Sequence, residues 1–270
     1  MKSIFTKDLF LHKICLITGG GSGIGLCTAK EAAQLGARVI ITGRKESKLQ
    51  QAAASIQEAG GDCQFYICNN RKPEEVDSML DQVMQKYGRI DYLVNNAGGQ
   101  FPAPAERIKP KGFHAVLETN LSSTFFLMQK VFDCCFQEKG GAIVNVLMNN
   151  RNGFPMMSHS AAARAGVENL TKTLAVEWGR CGIRINSVSP GIIKSSGLNT
   201  YAEEFQEAIY AAAKYNQSYR LGKEEEISSA ILFLLSPGAN YMTGQNIYVD
   251  AGENLYSPLY PPKKPTNWPE

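Results

Sequence analysis

Residues 18–25 read T-G-G-G-S-G-I-G, directly after the short apolar run 14–18 and directly before a helical stretch. Glycine lets a backbone turn sharply and approach a phosphate group without a clash at Cβ. The amino terminus of the next helix then presents free N–H groups and a positive dipole end to that phosphate. A glycine-rich loop alone is often only a turn, but this strand and helix context predicts a nucleotide site. The residues expected to form it are Gly19, Ser22, Gly23, Ile24 and Gly25.

Short apolar runs and helical stretches alternate along the rest of the chain. The further strand-like runs are 38–42, 64–68, 92–94, 142–147, 183–188 and 246–249. The helical stretches are 25–35, 46–59, 74–87, 113–137, 160–180 and 224–235. Apolar runs of this length suit strands that are buried on both faces, and repeated β-α-β order gives parallel pairing. The sequence therefore predicts an α/β fold: a single doubly wound, Rossmann-type parallel sheet of about seven strands with helices on both faces.

One domain over residues 1–256 is the simplest organisation, because neither a linker nor an internal repeat interrupts this alternation. Only 195–222 departs from it, being helical and rich in Ala, Tyr and Glu, and it is either a substrate lid or a plain insertion. Residues 257–270 hold five of the twelve prolines, so we expect an extended tail that runs over a surface.

The composition is that of an ordinary globular chain, with 44% apolar residues, 20% charged residues and a formal net charge of +3. That charge is too small to indicate nucleic-acid binding, and no apolar run approaches the roughly 18 residues that span a bilayer. The seven cysteines include no C-x-x-C pair, which favours free thiols over disulfides or a metal site. Lys7 and Asp8 interrupt the apolar start and the last residues are not a peroxisomal tripeptide, so a cytoplasmic location is expected.

Cofactor choice is expected at residues 41–45, I-T-G-R-K, where the second strand ends. An acidic side chain there would bind a ribose 2′-hydroxyl and repel a 2′-phosphate. Arg44 and Lys45 stand there instead, with Lys48 one turn further on, and guanidinium groups suit phosphate. We therefore predict NADPH as the cofactor, with a solvated basic helix start as the alternative.

Four further motifs follow the glycine-rich loop in order. They are N-N-A-G at 95–98, E-T-N-L-S-S-T-F around Asn120, Pro190-Gly191, and T-G-Q-N-I-Y-V-D-A-G at 243–252. Together they resemble the short-chain dehydrogenase/reductase family over nearly the whole chain. The resemblance implies a homotetramer whose tails cross neighbouring subunits, and an adenine site beside Asn69. It also implies that the cofactor contacts Asn96, Ala97, Gly98, Pro190, Gly191 and Ile193.

The helix at 158–172, S-H-S-A-A-A-R-A-G-V-E-N-L-T-K, departs from that family. The family's helix carries Y-x-x-x-K followed by A-G, whereas Ser160 and Arg164 replace the tyrosine and lysine here. Leu147 and Met148 stand where the family's catalytic serine follows the fifth strand. With these changes the sequence most resembles the peroxisomal trans-2-enoyl-CoA reductases and next the 2,4-dienoyl-CoA reductases. The stretches that match them are 95–101, 113–120, 153–155, 159–167 and 267–269.

These replacements change the chemistry that the helix supports. Reducing a ketone leaves negative charge on an alkoxide and needs a poised acid, which an ordinary serine hydroxyl is not. Reducing a double bond conjugated to a thioester spreads the charge into an enolate, which needs hydrogen bonds more than a strong acid. Asn120 and Ser160 are suitable donors, and Arg164, on the same helix face as Ser160, adds positive charge and can hold ribose hydroxyls as the missing lysine would. We therefore predict NADPH-dependent reduction of an enoyl or dienoyl acyl-CoA-type substrate.

Several alternatives stay open at this point. Arg164, Glu168 and Lys172 have the spacing of an exposed charge ladder. Glu168 also stands where the enoyl reductases carry a tyrosine, so an alcohol or carbonyl oxidoreductase with Glu168 or a lid tyrosine as its acid is the second interpretation. An inactive cofactor-binding scaffold is the interpretation from another class. The proton for Cα comes from solvent or from one of three lid tyrosines, Tyr201, Tyr210 and Tyr215.

Overall fold

Seven parallel strands form one sheet, as the alternating apolar runs predict. The computed structural model describes residues 3, 6–198, 201–255, 259 and 261–269. The strands are β1 (Ile14–Thr18), β2 (Arg38–Gly43), β3 (Asp62–Ile67), β4 (Tyr92–Asn95), β5 (Gly141–Val146), β6 (Ile183–Pro190) and β7 (Asn246–Val249). They lie in the order β3-β2-β1-β4-β5-β6-β7, and each neighbouring pair is parallel. The predicted fold class is confirmed.

Helices follow the strands and cover both faces of the sheet. They are α1 (Gly23–Gln34), α2 (Glu46–Glu58), α3 (Pro73–Tyr87), α4 (Pro110–Leu117), α5 (Ser123–Val131), α6 (Gln137–Lys139), α7 (Ser158–Trp178), α8 (Glu203–Ala212) and α9 (Glu224–Leu235). The helical stretch predicted over 113–137 is confirmed, although its hydrogen bonding is not α-helical throughout. This stretch begins at Pro110, and two π-helical segments, Glu118–Ser122 and Phe132–Phe136, separate its α-helical parts. Apolar periodicity does not reveal the wider hydrogen-bonded turn of a π segment.

The sheet has an apolar core on each face because successive strand residues point to opposite sides. Cys15 and Ile17 of β1 lie in the core that the sheet forms with α1, α2 and α9. Ile14 and Leu16 of the same strand lie in the core formed with α3, α5 and α7. This burial on both faces explains why the strands appear in the sequence as nearly continuous apolar runs.

The strand order reverses between β1 and β4, which opens a crevice at the carboxyl edge of the sheet. The glycine-rich loop follows β1 and the N-N-A-G turn follows β4, so the two border the crevice from adjacent strands. Helix α7 packs against β6 on the same side of the sheet as α5. Its first turns, which hold Ser160 and Arg164, therefore meet the same edge.

The prediction of a helical segment at 195–222 is confirmed only in part: residues 203–215 form α8 and a 3₁₀ turn at Ala213–Tyr215, and 216–220 form turns and bends; residues 199 and 200 lie outside the described part. It returns to the sheet edge where Ile193 bridges Gly222. The predicted tail falls partly on residues 257, 258, 260 and 270, which also lie outside the described part. Residues 261–269 form neither helix nor strand, and the Tyr219 hydroxyl donates to the Pro262 carbonyl oxygen of the same chain. The division into a domain and a tail stays a prediction.

Two expected absences can be compared with the described residues. None of their helices is long and apolar enough to cross a membrane. All seven cysteines lie in the described part of the chain and are free thiols.

Candidate active site

The glycine-rich loop is held against the turn after β4 in a geometry that only glycine permits. Gly19 has φ +67°, in the left-handed region, and its N–H donates to the Thr42 carbonyl oxygen at 2.8 Å. A Cβ on Gly25 would lie 2.5 Å from the Gly19 oxygen and would also overlap Asn96 Nδ2. Asn96 Nδ2 donates to the Thr18 carbonyl oxygen at 2.9 Å. The structure therefore brings Gly19, Gly25 and Asn96 together, with Asn96 as a brace of the loop.

The turn after β4 is fastened to β1 through the Thr18 hydroxyl, which accepts the N–H groups of Asn96 and Ala97 at 3.0 and 2.9 Å. Behind it, Asn95 Nδ2 donates to Asn145 Oδ1 at 2.8 Å, and Asn145 donates in turn to a threonine hydroxyl of α7 at 2.9 Å. This buried chain of amides joins β4, β5 and α7. It fixes the crevice and the helix of Ser160 and Arg164 relative to each other.

Helix α1 begins at the glycine-rich loop. Ser22 precedes it in an extended conformation, no described side chain caps it, and Gly23 starts it with φ +62°. Ser22, Gly23 and Ile24 are partly exposed at this end. The uncapped N–H groups and the positive end of the helix dipole therefore face outward, where they can bind a pyrophosphate.

Basic side chains occupy the corner between β2 and α2. Arg44, Lys45 and Lys48 are exposed, and none of them pairs with an acidic side chain of the described residues. A Cβ on Gly21 would lie 3.4 Å from Lys48 Cβ, so this corner borders the phosphate loop. Asn69 is partly exposed just beyond the end of the neighbouring strand β3. Unpaired cations beside one phosphate site attract a second phosphate.

The loop after β6 is fixed from two sides at the other end of the crevice. Gly191 N–H donates to the last carbonyl oxygen of β7 at 3.0 Å, and the Pro190 oxygen accepts an N–H from the loop after β5 at 3.0 Å. Gly222 N–H donates to the Ile192 carbonyl oxygen at 2.9 Å, and the next residue, Ile193, is buried. Trp268 of the tail lines the same small cavity as Gly191 and Ile193.

Asn120 and Ser160 lie within hydrogen-bonding distance of each other. The first π-helical segment carries Asn120, whose Oδ1 accepts Gly99 N–H at 2.9 Å and whose Nδ2 donates to the Gly99 oxygen at 3.0 Å. The other Nδ2 hydrogen reaches Ser160 Oγ at 3.4 Å, and Ser160 Oγ donates to Gln100 Oε1 at 2.6 Å. Both amide hydrogens of Asn120 are thus used within the protein. Asn120 orients Ser160 in this arrangement, whereas the sequence suggested a donor to the substrate.

Arg164 is a buried cation, 8% exposed, without a carboxylate partner among the described residues. Its Nη1 donates to the Val146 carbonyl oxygen at 2.7 Å. Its Nη2 occupies the space that a Cβ on Gly98 would take, so the N-N-A-G turn and the guanidinium fit together only with glycine at 98. Burial lowers the pKa of Arg164 to about 10, which still leaves the group charged at neutral pH.

The proposed charge ladder on α7 does not include Arg164, because this side chain turns into the protein. Glu168 and Lys172 do form the i, i+4 pair at 2.9 Å, and Lys172 is exposed. An exposed ladder of three charges and a buried Arg164 beside a Glu168–Lys172 pair have the same i, i+4 spacing in the sequence. Only the packing of α7 against the sheet shows which of the two is present. Glu168 is therefore engaged as the partner of a surface lysine.

No described hydroxyl takes the place of the family's serine after β5, where Leu147 is buried and Met148 is partly exposed. Among the tyrosines of segment 195–222, Tyr201 contacts this group: its hydroxyl accepts a hydrogen bond from Gln100 Nε2 at 3.4 Å. Tyr210 and Tyr215 are exposed. Sequence reasoning missed Gln100. The available signal was a long amide side chain directly after two glycines at the crevice edge.

The residues fit a dinucleotide laid along the crevice. A loop in which a Cβ at Gly19, Gly20 or Gly25 would clash meets an uncapped helix end, a basic corner lies beside it, and a buried guanidinium lies beside the turn after β4. The first three features have the chemistry to bind phosphate and ribose groups, and the last can hold hydroxyls or stabilise an anionic oxygen.

Comparisons with known proteins agree with this geometry. Residues 19–254 match the family model described as enoyl-(acyl carrier protein) reductase. The chain is 39% identical over 249 residues to a probable 2,4-dienoyl-CoA reductase of Bacillus subtilis, which covers 90% of this chain and 97% of that protein. It is 33% identical over 258 residues to the peroxisomal 2,4-dienoyl-CoA reductase of Danio rerio, which covers 94% and 85% of the two chains.

A solved structure shares the whole fold. It is the citronellol catabolism dehydrogenase AtuB of Pseudomonas aeruginosa, with a TM-score of 0.84 and 43% identity over 94% of this chain and 99% of that one. These relatives are oxidoreductases, and their family implies a nicotinamide cofactor, which the crevice fits. The chain therefore belongs to the short-chain dehydrogenase/reductase family.

Proposed function

We propose that this protein uses NADPH to reduce the C=C bond of an α,β-unsaturated acyl thioester, an enoyl-CoA or a dienoyl-CoA. The observation that carries the proposal is the pair of Ser160 and Arg164: a hydroxyl with neutral partners, and a buried guanidinium that pairs with no carboxylate of the described residues. Such a pair supplies hydrogen bonding and fixed charge but no poised acid, which suits an enolate oxygen better than an alkoxide. Two relatives named as dienoyl-CoA reductases support the same substrate class.

Each residue of the pair has a defined task in this proposal. NADPH, when bound, supplies the reducing hydride. Arg164 holds ribose hydroxyls of the cofactor, and its charge stabilises negative charge that develops nearby. Ser160, oriented by Asn120, donates its hydrogen bond to the thioester oxygen. Tyr201 is our candidate for the group that delivers a proton to Cα, because it is the lid tyrosine in contact with this cluster.

The choice of NADPH over NADH is the finer part of the cofactor proposal. It is supported by Arg44, Lys45 and Lys48, three exposed cations that pair with no acidic side chain of the described residues. No acidic residue lies between the end of β2 and Glu46. An acidic side chain there would repel a 2′-phosphate, and a guanidinium would bind it.

Oxidation of NADPH against a panel of thioesters tests the activity. We expect turnover of enoyl- and dienoyl-CoA and little or none of 3-ketoacyl-CoA; faster reduction of the ketone would contradict the proposal. Branched unsaturated thioesters and citronellol belong in the panel, since AtuB is named for citronellol catabolism. Ser160→Ala should lower turnover about 10- to 1,000-fold, the range for one donor to a developing anion. Ser158→Ala, at the exposed first position of α7, is the matched control.

We also propose a cytoplasmic homotetramer that binds no nucleic acid and no membrane. The modest net charge of +3 supports the absence of nucleic-acid binding. One relative is bacterial and another is named peroxisomal, so imaging of a fluorescent fusion is the direct test of location. A punctate peroxisomal signal would contradict the cytoplasmic proposal.

A further inference from the structure

The hydroxyl proton of Ser160 is already donated to a group inside the protein. Its side chain is fully buried, its oxygen accepts from Asn120 Nδ2 at 3.4 Å, and it donates to Gln100 Oε1 at 2.6 Å. A serine hydroxyl has a single proton to donate. The proton that the proposed function assigns to the substrate oxygen is therefore held by Gln100 in this structure.

Gln100 differs from its two partners in its freedom to move. Asn120 is fully buried and clamped on Gly99 by two hydrogen bonds, whereas Gln100 is exposed at the mouth of the crevice. Gln100 also donates from Nε2 to the Tyr201 hydroxyl at 3.4 Å, which is a long and exposed contact. The Ser160 hydroxyl can thus exchange partners only on the Gln100 side.

The group that Gln100 presents to Ser160 is a carboxamide oxygen, an sp² carbonyl acceptor of the same kind as a thioester oxygen. A short, well-made hydrogen bond to such an oxygen marks the place where a substrate carbonyl would be held. The buried Ser160 hydroxyl can donate to a substrate carbonyl oxygen only when that oxygen displaces the Gln100 carboxamide oxygen.

We propose that Gln100 Oε1 is an internal stand-in for the substrate's thioester oxygen, so that Gln100 sets substrate affinity by competing for the Ser160 proton. The inference rests on the proposed function and adds a specificity-determining residue to it. Substrate binding then turns Gln100 away from Ser160 and takes its place. Because Gln100 Nε2 also touches Tyr201, the same displacement releases the lid segment from the crevice.

Two substitutions at position 100 should move the Michaelis constant in opposite directions. Gln100→Ala removes the competitor, so KM for the thioester should fall about 2- to 10-fold, the scale of one neutral hydrogen bond, with kcat nearly unchanged. Gln100→Glu keeps the shape and replaces the amide oxygen with an anionic acceptor, which binds the Ser160 proton more strongly, so KM should rise. A residue that only supported the loop would give the same direction of change in both variants.

A second readout does not depend on turnover. Hydrogen–deuterium exchange of the lid backbone at 201–215 should increase in Gln100→Ala without any substrate, because the Gln100–Tyr201 contact is lost. Tyr201→Phe should give the same increase while leaving the Ser160–Gln100 bond in place; it serves this exchange measurement only, because Tyr201 is also the proposed proton donor. Affinity for NADPH should be equal in all of these proteins.

The kinetic and exchange results separate this inference from the proposed function. Wild-type protein that reduces no acyl thioester would overturn the proposed function and this inference with it. Wild-type protein that does so, together with an unchanged or higher KM in Gln100→Ala, would overturn the stand-in role alone. A higher KM would show that Gln100 contributes a contact to the bound substrate instead.

Discussion

Arg164 is buried and donates a hydrogen bond to the Val146 backbone carbonyl oxygen, although removing a guanidinium from water is costly. A cation held in this way stabilises a ligand more than it stabilises the fold. We expect Arg164→Ala to lower kcat/KM by at least about 100-fold, the scale of one strong electrostatic contact in a site. Arg164→Lys should keep part of the activity, because the charge survives while the planar fork is lost.

Thermal unfolding without cofactor distinguishes this role from a structural one. The melting temperature of Arg164→Ala should be unchanged or higher, since alanine suits a helix and the buried charge is gone. A large loss of melting temperature would contradict the argument and make Arg164 a structural residue.

The pair Gly98 and Gly99 tests the fit between the N-N-A-G turn and the guanidinium. A Cβ on Gly98 would overlap Arg164 Nη2 and lie 3.1 Å from Asn120 Oδ1, whereas a Cβ on Gly99 would lie 4.0 Å from its nearest neighbour. Neither glycine is in the left-handed region, so alanine strains the backbone at neither position. We expect Gly98→Ala to lower turnover more than 10-fold and Gly99→Ala to stay within about 3-fold of the wild type. Equal rates in the two variants would show that Arg164 adapts freely.

At the scale of elements, the strands and the phosphate loop were accessible from the sequence because their signals are local. A strand buried on both faces is a short apolar run, and a loop that must approach a phosphate needs glycines at a fixed spacing. The π-helical segments within the long helix that begins at Pro110 were not accessible. In the π segment at Glu118–Ser122 the backbone forms wider hydrogen-bonded turns, and this segment carries Asn120. Asn120 makes two hydrogen bonds to Gly99, which lies 21 residues earlier in the chain, so local sequence patterns do not reveal the contact.

The same limit applies to the residues of the site. Ser160 and Arg164 could be singled out because they replace a known pair at a known spacing. The burial of Arg164, the engagement of Asn120 and the contact of Gln100 with Ser160 depend on how α7 and the turn after β4 pack together. No periodicity or composition in the sequence encodes those distances.

The proposed choice of NADPH depends on the basic corner between β2 and α2. Replacing Arg44 by Asp and Lys45 by Ala removes two cations and adds an acid that a ribose 2′-hydroxyl can bind. We expect NADPH binding to weaken by about 3 kcal/mol, roughly 150-fold, which is the scale of charge-assisted hydrogen bonds. NADH binding should be unchanged or stronger. Titration of cofactor fluorescence measures both.

Lys30→Asp is the control for this double variant, because Lys30 is an exposed cation further along α1. It should leave both affinities within about 2-fold of the wild type, since exposed charges that are not in contact are largely screened. A wild type with equal affinity for NADPH and NADH would contradict the assignment of the corner to a 2′-phosphate.

At the scale of the whole molecule, α7 has two faces with different tasks. One face is buried against the sheet and carries Ser160 and Arg164, while Val176 on the outer face is 83% exposed. Phe126 of α5, which packs on the same side of the sheet, is also exposed, at 52%. Exposed apolar side chains on neighbouring helices mark a surface that a symmetric oligomer can cover.

We therefore expect a tetramer at micromolar concentration and a smaller species for Val176→Glu, because a carboxylate at a covered apolar position would be buried without a partner in two copies at once. Gln51→Glu, which adds the same charge to an exposed position of α2, should remain a tetramer. Light scattering after size exclusion measures the mass of both variants.

If a neighbouring subunit covers the outer face of α7, dissociation of the subunits should also loosen this helix, which carries Ser160 and Arg164. Val176→Glu should therefore lose activity on dilution before it loses secondary structure. A wild type that is monomeric at micromolar concentration, or a Val176→Glu variant that remains a tetramer, would place the subunit contact elsewhere.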